Sequence, residues 1–328
     1  MADKPENTNK GKVKAKTGTK DKPKSLLNRF SKNKKPAGKK GTQKKSKVNE
    51  YFNALVYAAI VAFIIKVFLF EAYRIPTGSM EKTLLVGDFL IVTKFTYGAT
   101  TPRNIPFTDI RLPYIKLPGF KDPKLGDVIV FDFPGDRDQV QSPEQVNYIK
   151  RCVGLPGDKI QIINKTLYVN DQVFPNPPDA IFDAQTRPKG FDNYRIFPKG
   201  SGWNEDNYGP ITVPKKGQMI EINVMNFDTW KYFVMKEGNE IQLRGDKVFV
   251  NGQELPNGQY EVQRDYLFMM GDNRNNSLDS RYWGFMPTEN IVGEALMIYW
   301  SWDPAIPFSD FFKLLGTTRW DRIGMFIH

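Results

Sequence analysis

The sequence predicts a mainly β protein with one N-terminal transmembrane helix, followed by a coiled mixed or antiparallel β-sheet domain with an inserted β subdomain. Three observations support this fold class. A 19-residue apolar run, Phe52–Phe70, carries a single charge. Short runs rich in Val, Ile and aromatic residues follow it, separated by Pro and Gly, as in strands joined by turns. Two of the later stretches alternate apolar and polar residues around a VND or VNG turn, which indicates β-hairpins.

The apolar run is long enough to cross a bilayer. At about 1.5 Å per residue its helix would span roughly 28 Å, close to the thickness of the hydrocarbon core. Lys66 lies near the end of the run, where its side chain can reach the interface. The alternatives are a buried core helix, which the length and the basic flank disfavour, and a cleaved leader, which the long preceding region disfavours. We therefore predict a transmembrane helix over residues 51–72.

The basic charge of the chain is confined to the segment before this helix. Residues 1–50 hold 17 Lys and Arg and four Asp and Glu, whereas the rest holds 30 and 32, so the tail supplies the net charge of +11. A segment with so few apolar residues is predicted to be disordered, and either solvated or attracted to anionic membrane lipid. RNA binding is disfavoured because aromatic residues for base stacking are nearly absent, so no nucleic-acid partner is expected. The lysines also place the N-terminus in the cytoplasm and the chain after Tyr73 on the extracytoplasmic side.

The outer domain is predicted to be a core sheet interrupted by an insertion. The alternating stretches, 158–175 and 239–256, match at six positions without gaps. Either a hairpin was duplicated or two hairpins share the same turn chemistry. They delimit a β subdomain over 158–257, which leaves 73–157 and 258–328 as the two parts of the core. The predicted core strands are 88–95, 126–133, 146–153 and 294–300.

Residue types restrict the chemistry that this domain can perform. A single cysteine, Cys152, excludes an intramolecular disulfide, and together with the single histidine it excludes zinc sites built from Cys or His. No metal or cofactor is therefore expected, although carboxylate sites for Mg²⁺ or Ca²⁺ stay open. The histidine, His328, is the last residue, so a serine nucleophile would need a different base.

The stretch RIPTGSM, residues 74–80, holds a serine in a turn that suits a nucleophile. Gly78 allows close approach of a substrate backbone. The N–H groups of a tight turn can stabilise an oxyanion, with the Thr77 hydroxyl as a second donor. Lysine is the remaining candidate base for Ser79, provided that burial lowers the pKa of its amine. The alternative is a structural turn that simply follows the helix.

Lys150 is the lysine whose surroundings best fit this role. Period-two alternation in VNYIKRCVG puts Val146, Tyr148, Lys150 and Cys152 on one face of a strand, so the amine has apolar neighbours. Lysines in strands are usually solvated, and that alternative stays open.

A third stretch, GDNRNNSLDSRYWG at 271–284, is predominantly polar. It is either an ordinary surface loop or a network that holds the base in place. As a network, Asp279 and Arg281 would form an ion pair that braces the loop, and the Ser277 hydroxyl would hydrogen-bond the amine.

Together these stretches resemble bacterial type I signal peptidases, the membrane-anchored serine–lysine leader peptidases. The resemblance is carried by PTGSM, LLVGDFLIV, GDVIVF, YIKRCVGLPGD, GDNRNNSLDSRYWG and RIG (322–324), in the order of that family. It implies a single-pass hydrolase of the bacterial inner membrane with a cytoplasmic N-terminus and an extracytoplasmic catalytic domain. Its substrates would be signal peptides of exported preproteins, removed through an acyl-enzyme. Residues 98–125 and 176–238 contribute nothing to the resemblance.

The resemblance also implies roles for individual residues. Ser79 is similar to the nucleophile and Lys150 to the general base, while the Ser79 N–H and the Thr77 hydroxyl correspond to the oxyanion hole. Ser277 corresponds to the residue that orients the amine, and Asp279 and Arg281 to structural braces. The positions that correspond to shallow apolar substrate pockets are Tyr73, Ile75, Pro76, Met80, Leu84 and Ile149.

Two other functions stay open at this point. One is an anchored β protein that binds peptides and has a degenerate site, which an intact Ser79 and Lys150 disfavour. The other is a soluble self-cleaving serine–lysine protease of the repressor type, which the anchor and the lack of a DNA-binding helix pair disfavour.

Overall fold

The chain begins, in the part that the structure describes, with a long exposed helix. A computed structural model describes residues 47–101, 112–113 and 115–328, so the predicted disordered tail lies almost entirely outside the described residues. Helix α1 (Lys47–Ile64) continues as a π-helical turn (Ile65–Leu69). Of the described helices, this is the one long and apolar enough to cross a membrane. Because only 6% of its apolar window is buried, the core-helix alternative is disfavoured.

The helix ends earlier than the sequence predicts. Residues 70–72, expected to be helical, already belong to the first strand, in which Phe70 pairs with Thr93. Pairing with the next strand outweighs the helical preference of the last apolar residues, because it satisfies the backbone groups that a helix end leaves without partners.

Sixteen strands and three further α-helices follow in the described part of the chain. The strands are β1 (Phe70–Arg74), β2 (Asp88–Thr93), β3 (Val128–Asp132), β4 (Asn147–Gly154), β5 (Lys159–Ile163), β6 (Thr166–Val169), β7 (Gln172–Val173), β8 (Tyr208–Thr212), β9 (Met219–Glu221), β10 (Ile241–Arg244), β11 (Lys247–Val250), β12 (Gln253–Glu254), β13 (Gln259–Glu261), β14 (Tyr266–Met270), β15 (Met286–Pro287) and β16 (Ile291–Ser301). The helices are α2 (Phe227–Lys236), α3 (Ser280–Trp283) and α4 (Phe311–Gly316).

Seven strands form a curled core sheet, in the order β1-β2-β16-β3-β4-β14-β15. Every neighbouring pair is antiparallel, and shifts of register between β16 and its neighbours mark bulges that increase the local twist. Three strands separate β1 from β4 in this order. Nevertheless, the Asn147 amide on β4 donates to the Tyr73 hydroxyl on β1 at 3.3 Å. The predicted coiled sheet is confirmed, and its ladders are antiparallel.

The apolar runs become central strands because both faces of the sheet are covered. In β3, Val128 and Val130 belong to one buried cluster, while Ile129 and Phe131 belong to another. A strand buried on both faces reads as a continuous apolar run rather than an alternating one. The four predicted core strands correspond to β2, β3, β4 and β16.

The chain between β4 and β14 forms three smaller sheets. They are β7-β6-β5-β8, β10-β11-β12 and β13-β9. The two repeated stretches fold alike, since Ile160 pairs with Val169 and Ile241 with Val250. In both, an asparagine with positive φ begins the turn into a short third strand. The predicted hairpins are confirmed, whereas the domain boundaries at 73–157, 158–257 and 258–328 stay predictions.

Helix α2 is an element that the sequence analysis missed. Its apolar residues Phe227, Trp230, Phe233 and Val234 recur at helical spacing and pack in the core of the insertion. The helix has only ten residues, so its periodicity covers fewer than three turns and is a weak signal.

A buried ion pair attaches the RIG block to the core sheet. Arg322 Nη2 lies 2.6 Å from the Asp88 carboxylate at the start of β2, and the Ser301 hydroxyl at the end of β16 donates to the same carboxylate at 2.6 Å. Asp88 is 0% and Arg322 7% exposed. The pair therefore fixes the last part of the chain against β2 and β16.

We expect Asp88→Ala to lower the free energy of unfolding by about 3–5 kcal/mol, because it leaves the Arg322 guanidinium buried without its partner. Denaturant unfolding of the full chain in detergent measures this loss. Lys159→Ala is the control: it removes one member of an exposed pair with Asp171 and should change stability little. Equal losses in the two variants would contradict the structural role of the buried pair.

Candidate active site

Ser79 lies in a 3₁₀ turn, Gly78–Met80, shortly after β1. Thr77 precedes the turn with an extended backbone (φ −132°, ψ 156°), and its side chain makes no capping hydrogen bond. The Ile75 N–H donates to the Asp88 carbonyl at 2.8 Å, which keeps the segment against β2 up to the turn. The turn is therefore held at a fixed position at the end of a strand pair, with the Ser79 side chain largely buried.

The structure brings Lys150 directly to Ser79. The Lys150 amine lies 2.7 Å from Ser79 Oγ and 2.9 Å from the Ile149 carbonyl, and the residue is 4% exposed. The ring of Tyr148 lies 5.3 Å from the amine and packs in the same cluster as Cys152. Tyr148, Lys150 and Cys152 thus share one side of β4, as the alternation in the sequence predicts.

Burial lowers the pKa of the Lys150 amine from 10.5 to about 8. Asp279 and Asp272 act in the opposite direction, since their negative charge favours the ammonium form. Each carboxylate, however, has its own arginine: Arg281 Nη2 lies 2.8 Å from Asp279, and Arg151 Nη2 lies 2.7 Å from Asp272. Loss of hydration is therefore the dominant influence on the amine.

Asp279 and Arg281 form a buried, bidentate ion pair. Arg281 Nε and Nη2 donate to the two carboxylate oxygens at 2.9 and 2.8 Å. The Gly271 N–H adds a hydrogen bond at 3.2 Å, which ties the pair to the end of β14. Burial alone would raise the pKa of the Asp279 carboxyl, but the charge of Arg281 and these hydrogen bonds outweigh it, so the pKa lies below its ordinary value.

Ser277 is close to the site but does not hydrogen-bond to the Lys150 amine. Its hydroxyl is buried and has no hydrogen-bond partner among the described residues. It is near enough to the Asp279 carboxylate to help lower the pKa of that group, but the geometry is not that of a hydrogen bond. The Lys150 amine donates instead to the Ile149 carbonyl at 2.9 Å. Orientation of the amine by Ser277 stays a prediction.

Two residues that the sequence analysis did not single out hold the Ser79 turn. The Asn273 N–H donates to the Ser79 carbonyl at 3.1 Å, and its side-chain amide donates to the Gly78 carbonyl at 3.0 Å. Gly271 lies against the same turn: a Cβ there would be 2.2 Å from Ser277 Oγ and 2.5 Å from the Ser79 carbonyl oxygen. The signal was present in the asparagine-rich loop, but its spacing does not reveal which asparagine faces the turn.

The insertion contributes a segment that pairs with this loop. Ile181 and Asn273 form a parallel bridge, in which the Ile181 N–H donates to the Asp272 carbonyl and the Arg274 N–H to the Ile181 carbonyl, both at 3.0 Å. The buried Arg274 guanidinium lies 5.9 Å from the Phe182 ring, and burial lowers its pKa to about 10. The insertion thereby covers one side of the loop that holds Ser79.

The six residues predicted to line substrate pockets differ in exposure. Five belong to or pack against one cluster of the core sheet, whereas Pro76 is exposed. Met80 and Leu84 are 0% exposed, so in this structure they lie in the core beneath the surface rather than on it. Tyr73 and Ile149 are half-buried and keep surface that a ligand can touch. The pocket roles of Tyr73, Ile75, Pro76, Met80, Leu84 and Ile149 stay predictions.

Similarity to known proteins covers most of the chain. The family model "Signal peptidase, peptidase S26" matches residues 48–300. Signal peptidase I of Buchnera aphidicola (subsp. Acyrthosiphon pisum) is 35% identical over 252 residues, which is 74% of this chain and 72% of that protein. Signal peptidase I of Pseudomonas fluorescens is 32% identical over 288 residues, covering 84% and 78%.

A solved signal peptidase I from Enterococcus faecalis is 20% identical and covers 53% of this chain and 97% of its own, but its TM-score of 0.23 is too low to support a conclusion. The family model and the relatives above 30% identity suffice, because they extend over about three quarters of the sequence. The chain therefore belongs to the signal peptidase family, peptidase S26.

Proposed function

We propose that the chain removes signal peptides from exported preproteins with Ser79 as nucleophile and Lys150 as general base. One observation carries this proposal: the Lys150 amine lies 2.7 Å from Ser79 Oγ and is nearly excluded from solvent. With a pKa of about 8, a useful fraction of the amine is neutral at physiological pH, unlike that of a solvated lysine.

In acylation, the neutral Lys150 amine accepts the hydroxyl proton of Ser79 while Oγ bonds to the carbonyl carbon of the scissile peptide. The oxyanion that forms is stabilised by the Ser79 N–H and the Thr77 hydroxyl. The C–N bond then breaks, and the Lys150 ammonium gives its proton to the leaving amine. The products are an ester on Ser79 and the free N-terminus of the mature protein.

In deacylation, the regenerated amine accepts a proton from a water molecule whose oxygen attacks the ester carbonyl. The ester bond breaks, and the Lys150 ammonium returns the proton to Ser79 Oγ. The leader leaves with a free carboxylate, and both side chains recover their starting protonation states.

Two strand edges at the site suit an extended substrate. β1 is an outermost strand of the sheet, and β14 pairs with β4 only from Arg151 onward. Among the described residues, 147–150 therefore have a ladder partner on one side only. The contact between Asn147 and Tyr73 brings the two edges together. We propose that the leader adds as a strand between them and places small side chains against Tyr73 and Ile149.

We place α1 across the bacterial inner membrane, with the basic tail on anionic lipid in the cytoplasm and the β domain on the other side. The lysine excess before the helix supports this orientation. Ser79 follows Leu69 by ten residues, so even a fully extended chain keeps it within roughly 35 Å of the helix end. The cleavage site of a leader that is still held in the bilayer lies within the same range.

We expect Ser79→Ala, Lys150→Ala and Lys150→Arg each to lower preprotein processing by roughly 10³-fold or more, because each removes the nucleophile or an amine that can become neutral. Cleavage of a purified preprotein by the full chain measures this. Lys236→Ala is a matched control, since burial also lowers the pKa of Lys236 to about 8, but its amine donates to the carbonyls of Gly135 and Asp136 rather than to a hydroxyl. Normal processing by a Ser79 or Lys150 variant would refute the assignment of these residues, whereas absence of cleavage by the unmodified chain would favour an anchored peptide-binding protein.

The pH dependence follows from the lowered pKa of Lys150. Below about 8 the amine is increasingly protonated and cannot accept a proton, so kcat/KM should fall about tenfold per pH unit on the acidic side and level off above the pKa. Steady-state cleavage of a soluble peptide between roughly pH 6 and 9 tests this, since the range brackets the depressed value. A flat profile would count against a lysine base.

We expect Gly271→Ala to lower kcat by about tenfold or more, because the new methyl group collides with Ser277 Oγ and the Ser79 carbonyl and must displace the turn. Gly316→Ala is the control, since a Cβ there meets nothing within 4 Å. Both variants are compared in cleavage of the same peptide after circular dichroism has shown that they fold. Unchanged activity of the Gly271 variant would show that the turn tolerates displacement.

A further inference from the structure

We propose that residues 193–197 of the insertion, here called the bridging segment, are a positioning element for the active site. They join the hairpin that carries Lys150 to the loop 271–284, which holds the Ser79 turn. The bridging segment lies in a part of the sequence that contributes nothing to the family resemblance. Its effect on catalysis rests on the proposed function, whereas its connection of hairpin and loop does not.

One side of the bridging segment is bound by the hairpin of β3 and β4. Arg137, in the loop between these strands, donates from Nη1 to the carbonyls of Tyr194 and Ile196, both at 2.9 Å. The Asp138 carboxylate lies 2.7 Å from Nη2 of the same guanidinium. A charged donor makes stronger hydrogen bonds than a neutral one. The hairpin is therefore firmly attached to the insertion at a point thirteen residues before Lys150.

The other side of the bridging segment is bound to the loop 271–284. The Phe197 N–H donates to the Arg281 carbonyl at 2.8 Å, and the buried Phe197 ring packs edge-on against Phe285 at 5.3 Å. The side chain of Arg281 forms the ion pair with Asp279. The bridging segment thus holds the backbone from which that ion pair extends.

Glu205 provides a second connection to the same loop. The side-chain amide of Asn193, the first residue of the bridging segment, donates to Glu205 Oε1 at 2.6 Å, and the Tyr282 hydroxyl donates to the same oxygen at 2.8 Å. Burial would raise the pKa of the Glu205 carboxyl, but its hydrogen bonds and the charge of Arg187 hold that pKa below its ordinary value. The ionised carboxylate is a strong acceptor for both donors. Tyr282 is therefore tied to the start of the bridging segment.

The hairpin and the loop that the bridging segment joins support the two reacting groups. Lys150 belongs to the hairpin, while Asn273 of the loop donates two hydrogen bonds to the Ser79 turn. The distance of 2.7 Å between the Lys150 amine and Ser79 Oγ therefore depends on how hairpin and loop are placed relative to each other. Because β14 pairs with β4 only from Arg151 onward, the bridging segment fixes the part of the hairpin that this ladder leaves unpaired. Displacements of about 1 Å at such supports can lower a reaction rate by roughly 10²-fold.

Amide hydrogen exchange and cleavage of a soluble peptide, both with the full chain in detergent, test this role. Arg137→Met releases the bridging segment from the hairpin, and Tyr282→Phe removes the hydroxyl that binds Glu205 at its other side. Arg137→Lys is the conservative variant, since an ammonium can still donate to both carbonyls. Lys236→Ala is the matched control, because its amine also donates to two carbonyls of the hairpin loop. Among the described residues, no hydrogen bond joins α2, which carries Lys236, to the loop 271–284.

We expect Arg137→Met to accelerate exchange in the loop 271–284 by about tenfold, although the substituted residue lies in the hairpin. The same variant should lower kcat about tenfold and change KM less than about twofold, because it displaces the reacting groups without removing a substrate contact. Arg137→Lys should restore most of both losses, and Lys236→Ala should leave exchange in the loop unchanged. Since Arg137 and Tyr282 act through one segment, their double variant should lower kcat no more than the more damaging single variant.

Acceleration confined to the hairpin in Arg137→Met would overturn the proposal, and so would equal acceleration of the loop in Lys236→Ala. Faster exchange in the loop with an unchanged kcat would overturn the positioning role, as would losses of kcat that multiply in the double variant. If the unmodified chain does not cleave the peptide, the proposed function is overturned, while exchange in the loop still decides whether the bridging segment connects it to the hairpin.

Discussion

The contact between the dry Lys150 amine and the Ser79 hydroxyl is the constraint on which the rest of the structure depends. Burial lowers the pKa of the amine from 10.5 to about 8. At pH 7 this difference opposes folding by about 3 kcal/mol, because the unfolded chain hydrates the ammonium and the folded chain does not. The penalty is full below the folded pKa and disappears above the unfolded one. Packing elsewhere must offset it, so the surroundings of the amine have to be rigid as well as apolar.

Two features of the fold position the amine: the curl of the core sheet, and the loop after β14, which hydrogen-bonds to the Ser79 turn. The curl of the core sheet brings β1 to β4, so the Ser79 turn and Lys150 meet although they are 71 residues apart. Asn273 then holds the turn through two hydrogen bonds. Gly271 packs so closely against the turn that a side chain there would collide with the Ser79 carbonyl. Ile181 pairs with the outer side of the same loop. The insertion thus packs against the loop that holds the Ser79 turn.

Local patterns in the sequence predicted the parts of this arrangement but not their contacts. Alternation along one strand is enough to place Lys150 beside Tyr148, and a VND or VNG turn is enough to specify a hairpin. The contact of Asn273 with Ser79 joins residues nearly 200 positions apart, and no local period encodes it. Likewise, nothing in the spacing indicates that Met80 and Leu84 are fully buried, because their burial depends on how far the sheet curls.

Two buried carboxylates close to the amine would ordinarily undo the effect of burial, since a negative charge in a poorly hydrated interior favours an ammonium partner. Here Arg281 neutralises Asp279 and Arg151 neutralises Asp272, each at hydrogen-bonding distance. Lys150 therefore faces two dipolar pairs rather than two anions. Without either arginine, the freed carboxylate would favour the charged form of the amine, which cannot accept a proton in the proposed mechanism. The two ion pairs near the amine thus favour the neutral form of the proposed base.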